Sequence, residues 1–193
     1  MIPIEILGIE FYERDTETVS KKLLGKRLIK RLSDTFLEGI IVETEAYYGI
    51  DDPASRAYHG VKNYNKPMWG EPGRVFIYNV HNNWMFNVVA HKPNQVGAVL
   101  IRAVQPTRGV NLMEKNRKVE NPLDLTNGPG KLTKAFGIDK SLMGILVASL
   151  RNEVFIANGK MELEIGSSHR IGVRKDLSRN LRFFIKGNNF VSK

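Results

Sequence analysis

Glu43 and Glu45, in the run Gly39-Ile40-Ile41-Val42-Glu43-Thr44-Glu45-Ala46-Tyr47, are the residues whose type and spacing most invite chemistry. Their β-branched and apolar neighbours read as a strand, along which side chains alternate. The two carboxylates then share one face about 7 Å apart, while Val42 and Thr44 point the other way. Two acids on one side of a largely apolar strand are costly unless that side meets solvent, a cation or a substrate. Paired acids serve glycoside hydrolysis, two-metal chemistry or plain solvent exposure. The run alone does not choose among these, and an exposed structural pair is its default reading.

Aromatic residues form the second chemical signal. Tyr47, Tyr48, Tyr58, Tyr64, Trp69, Phe76, Tyr78, Trp84 and Phe86 are nine of the 17 aromatics, gathered in 40 residues. Much of that stretch, Gly49 to Gly73, is rich in Gly, Pro, Asn and Asp and reads as loop. Aromatics on loops suit the wall of a pocket or a stacking platform for bases better than one continuous core. Packing of the loop on its own aromatics is the competing reading. Other chemistries are excluded or weakened. With no cysteine there is no disulfide, thiolate nucleophile or cysteine-based metal site. The four histidines, His59, His81, His91 and His169, match no compact ligand motif, so no metal is expected.

The elements that must position these residues follow from local signals. Asp15 caps a helix over Thr16 to Leu24 that Gly25 ends. Arg27 to Leu32 and Phe36 to Ala46 form a hairpin, turning at Ser33 and Asp34. Further β regions run from Arg74 to Ala90, Ala98 to Val104 and Arg151 to Ile156, with late strands at Ser168 to Val173 and Leu181 to Ile185. Val110 to Asn116 reads as a short helix, and Gly130 to Phe136 as the start of another, stopped by Gly137. There is no repeat and no low-complexity linker. An α+β fold follows, a single mixed domain over residues 1–193 built round an antiparallel or mixed sheet.

Charge adds a partner class. The 29 Lys and Arg outweigh 20 acids, for a net charge of +9. From Lys21 to Arg31 there are six basic residues and no acid, and from Arg170 onward Asp176 is the single acid among seven basic residues. Such blocks attract a polyanion, though a solubilising surface would look the same. No run approaches the ~20 apolar residues of a membrane span. The N-terminal stretch carries Glu5 and Glu10 and no basic leader, so it does not read as a signal peptide.

The motifs in order resemble the alkyladenine (3-methyladenine, methylpurine) DNA glycosylase family. They are Leu23-Leu24-Gly25-Lys26, the Ile41-to-Tyr47 run, Pro72-Gly73, Asn87-Val88-Val89, and Val99-Leu100-Ile101-Arg102-Ala103. Asn127-Gly128-Pro129-Gly130-Lys131-Leu132, Arg170-Ile171-Gly172-Val173 and Arg182-to-Asn188 with Val191-Ser192 complete the series. The resemblance implies a curved, mainly antiparallel β-sheet flanked by helices, and a monofunctional enzyme acting without cofactor. Its partner would be double-stranded DNA containing damaged purines, and it would act as a monomer in the bacterial cytoplasm. Such enzymes flip the damaged nucleotide into a pocket and hydrolyse the base–sugar bond. Glu45 matches the catalytic, water-activating glutamate and Arg102 the arginine that helps hold it, although Arg102 also reads as a buried partner of Glu43. Tyr47 and Tyr78 match the aromatics that stack on the base, Asn87 and Leu100 match pocket residues, and Glu43 becomes support behind Glu45. A damage-binding protein without catalysis is the alternative.

Three positions depart from the family pattern. Arg56 stands where a pocket histidine is usual, and His59 where an arginine is usual. Arg56 is expected to turn toward phosphate or donate to the edge of a neutral base, unless a loop shift brings His59 into its place. His81 takes the position of the intercalating tyrosine, with Trp84 as its rival. Tyr64 replaces an arginine, losing a phosphate contact or substituting stacking for it.

Overall fold

The computed structural model describes residues 4–159 and 162–192. Eight antiparallel strands form one curved sheet. They are β1 (Arg27–Arg31), β2 (Phe36–Tyr47), β3 (Val75–Val80), β4 (Asn83–Val89), β5 (Ala98–Arg108), β6 (Val154–Ala157), β7 (Ile165–Ser168) and β8 (Arg182–Ile185). The main path runs β3-β4-β5-β2-β1-β6, and β8 joins β2 to β7. Among the described residues, four α-helices pack around it: α1 (Ile9–Tyr12), α2 (Thr16–Leu23), α3 (Val110–Arg117) and α4 (Pro129–Phe136).

The 12-residue β2 organises the molecule. β5 covers one edge for nearly its full length, while on the other edge β1 takes the first half and β8 the stretch Glu43 to Glu45. The β2–β5 register slips between Ile41 and Thr44, leaving Val42 and Arg102 without direct cross-strand partners. A bulge of this kind bends a strand and re-aims a side chain. Here it turns Arg102 toward both glutamates of β2.

Local signals place several elements where the sequence puts them. The Asp15 carboxylate accepts from the amides of Glu17 and Thr18 at the start of α2. Gly137, with φ of +60°, ends α4. The Arg74 to Ala90 region is a hairpin whose turn residues His81 and Asn82 both have positive φ, 47° and 59°.

Four expectations are corrected. The late strand ends at Ser168, and residues 169–173 leave the sheet, because Gly172 adopts φ of +75° and Arg170 turns inward to two aspartates. The aromatics from Tyr47 to Phe86 are not mainly loop groups: Phe76 and Phe86 are buried core on strands, and only Tyr58 and Tyr64 stand well exposed. The basic blocks are partly internal, with Lys30, Arg170 and Arg182 held by intramolecular partners. Glu43 and Glu45 are both fully buried, so the exposed-pair reading falls.

Candidate active site

Burying two carboxylates requires cations and donors to replace water. The structure supplies them from distant parts of the chain. Glu43 Oε1 accepts from Arg102 Nε at 2.8 Å, Arg182 Nε at 2.7 Å and the Ser192 hydroxyl at 2.7 Å. Its Oε2 accepts the Ser192 backbone N–H at 2.7 Å. Burial alone would raise the Glu43 pKa, but the Arg102 charge and the bonds from Arg182 and Ser192 outweigh it and hold the carboxyl below its ordinary range.

Glu45 is held more sparingly. The Ile171 backbone N–H donates to Oε1 at 2.8 Å, and the Tyr47 hydroxyl donates to Oε2 at 2.7 Å. Arg102 Nη1 lies 3.3 Å from the same Oε2. Burial is the largest influence and lifts this carboxyl above its ordinary range, against the opposing pull of Arg102, Ile171 and Tyr47. The two acids therefore diverge, Glu43 held below the ordinary carboxylate range and Glu45 lifted above it. One guanidinium spans the pair, so Arg102 is a partner of Glu43 and of Glu45 alike.

Tyr47 connects Glu45 to a cavity. Burial and the adjacent Glu45 push its phenol well above the usual range, which keeps it a hydrogen-bond donor. Its ring lies 4.5 Å from the Arg170 guanidinium carbon. Arg170, itself fully buried, forks onto Asp52 with two 2.6 Å bonds and also binds Asp176. Tyr47, Arg56, Met68, Phe76, Tyr78, Asn87 and Ala98 line a cavity with room for about one water molecule. Asn87 donates its amide hydrogens to the carbonyls of Phe76 and Met85, which fixes its side chain in that wall. Leu100 is buried and sits in register with both Glu45 and Asn87.

The expected residues thus form two touching groups. Glu43, Glu45, Arg102 and Tyr47 are joined by direct contacts, and Tyr47, Tyr78, Asn87 and Arg56 surround the cavity. Tyr47 belongs to both, while Glu45 and Arg102 do not themselves line the cavity. His81 lies exposed at the tip of the β3–β4 hairpin. Trp84 is half-buried against the core, and its carbonyl accepts from Thr133. His59 is exposed and packs edge-on to Tyr58, away from the place that Arg56 fills. Tyr64 is half exposed on the loop beyond Arg56.

Sequence reasoning missed Ile171, Arg170, Arg182, Ser192 and Asp52 as parts of the site. The Arg170-to-Val173 and Arg182-to-Ser192 motifs carried the signal, since both return to β2.

The chain belongs to the methylpurine-DNA glycosylase family, whose model matches residues 10–189. A protein of Aeropyrum pernix named "Putative 3-methyladenine DNA glycosylase" is 37% identical over 191 residues, covering 97% of this chain and 93% of its own. Proteins of the same name from Latilactobacillus sakei and Clostridium perfringens are 40% and 38% identical, covering 94% and 97% of this chain and 88% and 98% of their own. Family membership carries the general activity, DNA glycosylase chemistry in base excision repair, with DNA as the partner.

Proposed function

We propose that the protein releases damaged purines from duplex DNA by hydrolysis, with Glu45 activating the attacking water. The observation that carries this reading is the setting of Glu45. It is a fully buried carboxylate with raised pKa, held by Tyr47, Ile171 and Arg102 beside an aromatic-walled cavity. A damaged purine rotated out of the helix would enter between Tyr47 and Tyr78, whose electron-rich faces suit a planar base. Water forms the new bond to the sugar carbon as the base–sugar bond breaks, and the bonding pair departs with the base. Glu45 takes the proton from water and opposes the positive charge that grows on the sugar. Arg102 favours the ionised form of Glu45 that this role requires. Glu43 keeps Arg102 in place.

His81, at the exposed hairpin tip, is the group placed to fill the gap left by the flipped nucleotide, as a planar wedge does. The burial of Trp84 against the core weighs against that rival. Asn87 and Leu100 supply the fixed far wall, and Tyr64 and His59 lie on the loop that faces incoming DNA.

A base-release assay on duplexes containing hypoxanthine, ethenoadenine or alkylated purines, run with and without EDTA, tests the reading. Release unaffected by EDTA and abolished by E45Q is the expected result. Intact lesions after long incubation, or full activity in E45Q, would overturn it.

A further inference from the structure

Arg56 stands between two spaces. Its guanidinium carbon lies 4.6 Å from the centre of the Tyr78 ring. The same side chain lines the small inner cavity and a larger outer one of about 450 Å³, which Tyr64, Pro67, Trp84 and Lys140 help to bound. Arg56 and Tyr78 are the two residues common to both walls.

The backbone beneath this side chain is anchored. The Arg56 carbonyl accepts from the Asn65 side chain at 2.7 Å, and the preceding Ser55 hydroxyl donates to the Tyr48 carbonyl. The side chain is exposed, and among the described residues it forms no ion pair with a carboxylate. It is a long, flexible cation whose charged end hydrogen-bonds the Tyr78 side chain, with a small cavity on one side and a larger volume on the other.

A guanidinium over a tyrosine face makes the same attraction that a positively charged base would make there. It is always charged and has no acceptor. A base entering between Tyr47 and Tyr78 must therefore move Arg56 aside, and the outer cavity has the room to receive it. A neutral purine lesion then faces a nearby donor that can bind its acceptor atoms. A cationic alkylpurine faces a like charge at close range, and the two repel. Of the other charges nearby, Lys140 bounds the outer cavity, while Glu45, Arg102 and Arg170 are held by one another or by Glu43, Asp52 and Asp176. These last three do not move aside with Arg56.

We propose that Arg56 is a charge-selective gate on the base pocket, admitting neutral purine lesions in preference to cationic ones by swinging from Tyr78 into the outer cavity. This rests on the reading of the Tyr47–Tyr78 space as the base pocket.

The test uses E45Q, which separates binding from cleavage. Its affinity is measured for duplexes containing hypoxanthine, for duplexes containing 7-methylguanine stabilised by a 2′-fluoro sugar, and for undamaged duplex. The same measurements follow on E45Q/R56Q and E45Q/R56K. Removing the charge should shift the preference toward the cationic lesion by about tenfold, while R56K, which keeps the charge, should retain the preference for hypoxanthine. If E45Q prefers lesions over undamaged duplex but R56Q leaves the neutral-to-cationic ratio unchanged, the gate alone is overturned. If E45Q shows no preference for any lesion, the base-pocket reading and the gate fall together.

Discussion

Ser192 gives both its backbone N–H and its hydroxyl to Glu43, each at 2.7 Å. The same hydroxyl lies 3.2 Å from Arg102 Nη2, and the Ser192 carbonyl accepts from Arg182 at 3.1 Å. One residue near the C-terminus thus fixes an anion and two arginines around the strand that carries Glu45. S192A removes the hydroxyl and leaves the backbone bond. A hydrogen bond to a charged group contributes about 1.5–3 kcal/mol, so stability should fall by that order. Base release should fall as well, with the loss in kcat rather than KM, because Arg102 would be less well held while the cavity walls stay intact. Chemical denaturation and steady-state kinetics check the two parts. S192T, which keeps the hydroxyl, should restore kcat; equal kcat in S192A and wild type would end this positioning role.

The neighbouring glutamates should respond to pH in opposite senses. Glu43 is depressed in the folded protein, so it adds stability above its unfolded value, and that stability is lost as pH falls through the folded value. Glu45 is raised, so its contribution is present below the unfolded value and is lost as pH rises through the folded one. At neutral pH, E45Q should therefore melt at a higher temperature than wild type while lacking activity. E43Q should be destabilised by about 3–5 kcal/mol, since it strands buried guanidinium charge. The raised Glu45 also predicts that base release declines on the acid side with a midpoint above the ordinary glutamate value of about 4.3. Melting curves across pH and a pH–rate profile measure these effects. A lower melting temperature for E45Q at neutral pH would contradict the sign.

Parts of the fold that depend on near neighbours in the chain were legible in the sequence. Asp15 caps α2 through amides two and three positions on, and Gly137 stops α4, because capping is local chemistry. The strand through Glu43 and Glu45 was equally plain from its alternation. The environment of that strand was not. Ile171 reaches Glu45 across 126 positions and through a backbone N–H, a group that every non-proline residue carries and no composition reveals. Arg170 looked like one of many basic surface residues, and only the fold brings Asp52 to it across 118 positions. The 169–173 segment was misread as strand because Ile171 and Val173 alternate with small or polar residues, a pattern that also fits a loop wrapped over a buried carboxylate.

Arg170 joins three segments: the Asp52 loop, the Asp176 turn and the face of Tyr47. Burial would raise Asp176, yet the bonds and charge of Arg170 hold it below the ordinary carboxylate range. Its contribution to stability is therefore present above the unfolded value and is lost as pH falls through the folded one. R170Q leaves Asp52 buried without its cation and should cost about 3–5 kcal/mol. R170K should recover only part of this, because an ammonium does not match the planar two-point grip. If R170Q unfolds near wild type in urea at neutral pH, the buried fork is not what ties the loop to β2.

His81 and Asn82 occupy consecutive positive-φ positions at the hairpin tip, with φ of 47° and 59°. Hairpin turns of this kind favour Asn, Asp or Gly, so asparagine suits the first position better than histidine does. H81N should accordingly stabilise the folded protein, by on the order of 1 kcal/mol. If the histidine serves as the wedge that fills the flipped nucleotide's place, the same change should weaken binding to lesion duplex, and H81Y should strengthen it by filling the gap more fully. Stability and lesion affinity would then move in opposite directions in H81N. A conservative polar change at an idle turn would alter stability alone, so paired melting and duplex-binding measurements distinguish the two. Unchanged affinity in both variants would remove His81 from the DNA-binding machinery and leave the backbone strain at the tip without a function.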